Sequence, residues 1–108
     1  MKLKVEVELN VTKEDIEVII EMAGYGISYW CSAASVGDGY YKVYEDEEDK
    51  WHKLSHEDIL KGIGMYIENG NHPYNILDGK GGIDTGEVDA AVADMIIQYC
   101  CFGEMIYA

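Results

Sequence analysis

Residues 40–59 read YYKVYEDEEDKWHKLSHEDI, and their reading decides the fold. Tyr40 to Tyr44 and Lys50 to Leu54 are rich in aromatic and branched side chains, which suit a pleated surface. Glu45-Asp46-Glu47-Glu48-Asp49 between them is short and wholly acidic, so the stretch predicts a hairpin with a five-residue acidic tip. The signal then changes. In Leu54-Ser55-His56-Glu57-Asp58-Ile59, Ser55 stands as a helix cap, Asp58 follows three residues on, and Leu54 and Ile59 bracket the pair. That is a capping-box layout with a hydrophobic staple. A hairpin that runs straight into a capped helix predicts an α+β architecture.

Working outward, the same start signal recurs twice. Val11-Thr12-Lys13-Glu14-Asp15-Ile16 places a cap at Thr12, and Ile83-Asp84-Thr85-Gly86-Glu87-Val88 places one at Asp84. The acids in these first turns complement the positive helix end. The inner stripe of the first helix is Ile16, Ile19, Ile20 and Ala23, ending at Gly24. Ile59, Leu60, Ile63, Tyr66 and Ile67 serve the second, which ends at Gly70. Val88, Val92, Met95, Ile96 and Tyr99 serve the third, which ends at Gly103.

Lys2 to Leu9 alternates, with Leu3, Val5, Val7 and Leu9 on one face and charges on the other, as in a strand wet on one side. Ile27 to Cys31 reads as a further short strand. Asn69 to Gly82, rich in Gly and Asn and holding the only Pro, predicts a long exposed loop. The expected order is β-α-β-β-β-α-α. It makes an antiparallel sheet of three to four strands with three helices mostly on one face, in a single domain over 1–108.

Eight Lys and no Arg stand against twenty-one acids, for a net charge of −13. Nucleic-acid binding needs a basic patch, and anionic membrane surfaces ask the same, so both are disfavoured as direct partners. No apolar run reaches the ~18 residues of a spanning helix, and the N-terminal residues read as strand and not as a signal peptide. The odd cysteine count, Cys31 with the adjacent Cys100-Cys101, fits a reducing cytoplasm better than a disulfide scaffold.

Chemistry-bearing patterns are sparse. His52 and His56 have the spacing of a helical metal pair, but the cap at Ser55 puts one on a strand and the other at a helix start. The cysteines match no zinc pattern and read as small buried hydrophobes. Gly79-Lys80-Gly81-Gly82 lacks the Lys-Ser or Lys-Thr of a phosphate loop, and Asp78 and Asp84 would repel phosphate. These carboxylates do not alternate as a calcium loop requires. Without Arg there is no guanidinium clamp for an anionic substrate. No cofactor, metal or catalytic residue is expected. Asp94 and Gln98 lie four apart beside the third helix's stripe. They are expected to pair along it in partial exposure, or Asp94 to bond a neighbouring backbone group and orient the helix.

Charge and aromatics remain. Tyr44 and Trp51 flank the acidic tip, aromatic residues are favoured at interfaces, and closely spaced carboxylates can imitate a run of phosphates. Charge of −13 also repels itself within the folded chain, so it needs an offsetting benefit.

Gly26-Ile27-Ser28-Tyr29-Trp30-Cys31, Asp84-Thr85-Gly86-Glu87, and Ala93-Asp94-Met95-Ile96-Ile97-Gln98-Tyr99 with Phe102-Gly103-Glu104 carry a further signal. From about Thr12 to the C-terminus the chain resembles a family of small acidic proteins of phages, prophages and mobile elements in Firmicutes and gut bacteria. It departs in a shorter stretch between Cys31 and the hairpin, and in Cys100-Cys101 where Ala-Leu is common. The resemblance implies a phage-borne accessory protein, a setting in which short acidic proteins often inhibit host defence, as anti-CRISPR proteins and other DNA mimics do.

The leading expectation is therefore a non-enzymatic inhibitor in the bacterial cytoplasm that occupies the basic nucleic-acid channel of a host protein such as a CRISPR effector nuclease. Glu45, Asp46, Glu47, Glu48 and Asp49 would supply the charges, with Tyr44 and Trp51 as anchors. The competing expectation is a structural or assembly module, a homodimer among its forms, whose acidity serves solubility. A metal- or thiol-dependent enzyme using His52, His56 and Cys31 comes third.

Overall fold

The computed structural model describes Met1, residues 8–69 and residues 76–108. The expected strand from Lys2 to Leu9 therefore lies almost wholly outside the described residues, as does Gly70.

Two of the three helix starts form as read. The Thr12 hydroxyl accepts from Asp15 N at 3.1 Å while Thr12 N donates to the Asp15 carboxylate at 2.9 Å. Ser55 and Asp58 repeat the exchange at the same distances. Each pair satisfies two N–H groups that a helix start leaves without partners. Helix α1 spans Lys13–Gly26 and α2 spans His56–Glu68. α1 runs past Gly24, whose missing side chain faces open space, and ends where Gly26 presses on another segment. A Cβ at Gly26 would stand 2.0 Å from the Ala90 carbonyl oxygen. α2 ends on Asn69, whose amide donates to Met65 O at 2.7 Å.

The third start differs. Asp84 caps only a single 3-10 turn, Thr85–Glu87, because Val88 then turns extended (φ −90°, ψ 94°) and buries its side chain. The α-helix proper, α3 (Ala90–Phe102), begins one turn later on Asp89, whose carboxylate accepts from Val92 N at 2.8 Å. Gly103 closes it at φ 72°, as expected. Asp89→Ala should thus cost about 1 kcal/mol in a denaturant titration, and Asp84→Ala clearly less. Equal losses would restore Asp84 as the main cap.

The sheet holds three antiparallel strands in the order β1-β2-β3: β1 Cys31–Gly37, β2 Tyr40–Glu45 and β3 Lys50–Ser55. The strand expected over Ile27–Cys31 is instead a turn followed by the first residue of β1. Trp30 N and Cys31 N both bond to Ile27 O, at 3.0 and 2.9 Å, and the side chains of Ile27 and Trp30 plug the core. Asp38-Gly39 joins β1 to β2, with Gly39 at φ 78°.

At the acidic tip the register pairs Glu45 with Lys50, so Glu45 belongs to the strand and the connection is Asp46 to Asp49. Alternation then sends Tyr41, Val43 and Glu45 inward and leaves Tyr40, Lys42 and Tyr44 on the opposite, more open face.

α3 is the central element. Val92, Ala93, Ile96, Ile97 and Tyr99 are buried against Ile16, Ile19, Ile20 and Ala23 of α1 and Ile59, Ile63 and Tyr66 of α2. Leu60, expected inside, is 42% exposed, while Ile76, expected in an exposed loop, is 1% exposed and part of the core. The three helices and the three-stranded antiparallel sheet make an α+β fold. Among the described residues no helix is long and apolar enough to cross a membrane.

Candidate functional site

The exposed part of the hairpin tip is Asp46, Glu47, Glu48 and Asp49. Asp46 fixes it to β1: its Oδ1 accepts from Ser32 N at 2.9 Å and from the Ser32 hydroxyl at 2.5 Å. Its backbone N–H donates to Trp30 O at 3.1 Å. Asp49 closes the turn at φ 52°, a conformation that Asp tolerates better than most residues. Among the described residues, no lysine forms an ion pair with these carboxylates. The tip is a held run of exposed acids.

Tyr44 and Trp51 face each other across β2 and β3, with ring centroids 5.3 Å apart and the planes 60° apart. Trp51 is 50% exposed. On the same face Lys42 lies directly opposite Lys53, and the Lys53 ammonium sits 4.5 Å from the Tyr40 ring centroid. The aromatic pair thus stands between the acidic tip and a small cationic patch.

Glu45 cannot share the tip's role, because it is 4% exposed and both carboxylate oxygens are engaged. His52 Nε2 lies 2.9 Å from Oε1, and the Tyr107 hydroxyl donates to Oε2. Burial alone would raise this carboxyl's pKa. The bonds from Tyr107 and His52 and the nearby charges of His52 and Lys50 outweigh burial and hold it below its ordinary 4.5.

A carboxyl depressed on folding adds stability that is fully present above its unfolded pKa. That stability is lost as pH falls through the folded value. Glu45→Gln should cost about 1–2 kcal/mol at neutral pH by losing charge-assisted hydrogen bonds. It should also flatten the stability loss below pH 4.5. Unchanged acid dependence in the variant would contradict this role.

A buried network that sequence reasoning did not foresee lies beneath the hairpin, built on Asp94 and Gln98. Asp94 is 7% exposed and not partly exposed as expected. It pairs with Gln98 along the helix, as one expectation had it, and its other partners are side chains and not the backbone group of the alternative. Trp30 Nε1 donates to Oδ1 at 2.7 Å, the Tyr29 hydroxyl donates to Oδ2 at 2.5 Å, and Gln98 Nε2 donates to Oδ1 at 3.0 Å. Burial, then the Asp94 carboxylate, pushes the Tyr29 hydroxyl up to about 12.

Gln98, fully buried, extends the network to the C-terminal tail. Its Oε1 accepts from Ile106 N and Tyr107 N, both at 2.9 Å, and its Nε2 donates to Tyr107 O at 3.1 Å. Tyr107 then stacks on Trp30, 5.5 Å between centroids and 3° from parallel, and reaches Glu45. The tail is a strut between α3 and the base of the hairpin. Its sequence signal was Asp94 and Gln98 set four apart in an otherwise apolar helix.

The remaining candidates separate. His52 lies on β3 and His56 opens α2, so they share no helix face. All three cysteines are free, and burial raises each thiol, Cys100 to about 12, which keeps thiolate scarce at neutral pH. In the glycine loop, Asp78 Oδ1 takes the N–H groups of Lys80 and Gly82, at 2.6 and 3.0 Å, that a phosphate would need. Among the described residues no cluster of three metal-ligating side chains occurs. No family model matches this chain, and neither does any curated protein or solved structure.

Proposed function

We propose that the chain is a non-enzymatic inhibitor of phage or mobile-element origin, acting in the bacterial cytoplasm by seating its acidic hairpin in the basic nucleic-acid channel of a host protein. A CRISPR effector nuclease is one protein of that class. The observation that carries the reading is the tip itself: four exposed carboxylates, Asp46 to Asp49, with no lysine ion pair among the described residues, on a turn pinned through Ser32. Fixed, closely spaced charges present a phosphate-like array without the entropy cost of ordering a loop on binding. Trp51, half exposed beside them, supplies an apolar anchor of the kind that concentrates binding energy. Glu45 acts from below, holding the hairpin base through Tyr107 and His52, and is not part of the exposed array.

A second reading, self-association, draws on β1, whose Ser32 to Val36 edge is exposed and carries no charge to blunt it. One experiment separates the two. The immobilised protein is incubated with a bacterial lysate, and the column is eluted with duplex DNA or with a neutral polymer. The proposal expects retained protein that DNA alone releases. Retained protein indifferent to DNA, or nothing retained while the chain itself sediments as a dimer, would favour self-association.

A further inference from the structure

Beneath the tip lies a cavity of about 400 Å³ bounded by the hairpin, the end of α3 and the C-terminal tail. Three carboxylates line it, with Lys50 and His52 beside them. Glu45 lies along one wall, and Glu47 and Glu48 reach it from the tip. All three carboxylates act on the Tyr107 hydroxyl: the Glu45 bond first, then burial, then the charges of Glu45, Glu47 and Glu48 raise it above the ordinary tyrosine value.

Aromatic rings line the cavity beside the carboxylates. Phe102 and Tyr107 meet edge to face at 5.8 Å, and the His52 ring meets Phe102 at 5.2 Å. Carboxylates and aromatic rings lining one cavity attract a cation twice, through charge and through the ring quadrupole. A bare metal ion does not suit the space, since no group of three ligating side chains converges among the described residues. Lys50 also lines the cavity but forms no ion pair with Glu45, Glu47 or Glu48. Room is left for an organic cation on a flexible stem.

We infer that this cavity receives an arginine side chain of the partner, with the guanidinium held between Glu47 and Glu48 and stacked on the Phe102–Tyr107 wall. A guanidinium presents a planar fork that matches carboxylates and stacks on aromatic faces, which a lysine ammonium does not. The inference rests on the reading that the hairpin enters a basic channel. There it supplies the specificity that a string of surface charges lacks, since one channel arginine must fall at the socket while the tip spans its neighbours.

The test needs no identified partner. Three short peptides, identical except for one central arginine, lysine or citrulline, are titrated into the full chain while the Phe102, Ile106 and Tyr107 resonances are followed by NMR. The arginine peptide should shift them saturably, the lysine peptide at least about threefold more weakly, and neutral citrulline not at all. The double variant Glu47→Gln with Glu48→Gln should weaken the arginine titration by about tenfold or more. Asp49→Asn, also on the tip, should leave it nearly unchanged. Citrulline or lysine shifts matching those of arginine, or an unchanged double variant, would overturn the socket. Failure here alongside DNA-released retention from lysate removes the socket alone; the converse removes the channel reading and leaves the socket standing.

Discussion

Asp94→Ala is expected to lower unfolding stability by about 3 kcal/mol, because it strands buried donors as well as losing bonds. Trp30 Nε1, 2.7 Å from Asp94, has no other acceptor in the hydrogen-bonded network described, and Trp30 is 2% exposed. An unmet indole N–H in that position loses its water without replacement. The Tyr29 hydroxyl and the Gln98 amide keep Tyr107 O as a second partner, so they lose less.

The damage should spread to the tail, since Gln98 orders Ile106 and Tyr107. Asp94→Asn, which keeps an acceptor oxygen for Trp30, should cost about half as much. The measurements are the denaturant midpoint and the Trp30 indole resonance. If Asp94→Ala stays within about 0.5 kcal/mol of the parent, or Asn costs as much as Ala, the network does not hold the tail.

Gly62→Ala should produce the second large loss. The α2–α3 contact closes over this residue: a Cβ there would stand 2.2 Å from Cys100 Sγ and 2.8 Å from the Ile96 carbonyl oxygen. Neither neighbour is the free end of a long side chain, so the helices must move apart, at a cost of about 2–3 kcal/mol. Gly64, two residues on, meets nothing within 4 Å. Gly64→Ala on the same helix should therefore stabilise by about 0.5–1 kcal/mol through helix propensity. Opposite signs are the prediction, read from paired melting curves. Losses of equal size would mean that backbone conformation, and not the helix contact, governs both positions.

These two effects mark where the sequence was readable and where it was not. Caps depend on residues three apart, so Thr12–Asp15 and Ser55–Asp58 could be read directly, while Asp84 misled because Val88 turns the chain before a helix can follow. The stripe of α1 was legible because only one side is covered. On α3 the stripe residues Val92, Ile96 and Tyr99 were legible too, but the helix is enclosed on most sides, so Asp94 and Gln98, expected in partial exposure, are buried.

The hairpin was found from its pattern, but Glu45 was placed in its tip and belongs to β2. Glu45 resembles its acidic neighbours in sequence and parts from them only through partners 7 and 62 positions away, His52 and Tyr107. No local signal carries such a pairing. Asp38-Gly39 was a readable turn signal, and taking it would have moved β1 to its true place after Trp30.

The central claim is that the tip, and not net charge, engages a basic channel. Asp46→Asn, Glu47→Gln, Glu48→Gln and Asp49→Asn together remove four charges while keeping the Ser32 acceptor and a residue that tolerates the positive φ of position 49. Glu14→Gln, Glu17→Gln, Glu21→Gln and Glu57→Gln remove four others from exposed positions on α1 and α2. Retention of DNA-released protein on each immobilised variant is the most direct measurement. The tip variant should retain at least about tenfold less than the parent, mainly through slower association, while the helix variant stays close to it. Equal losses in both would make net charge the cause, and undiminished retention by the tip variant would contradict the account.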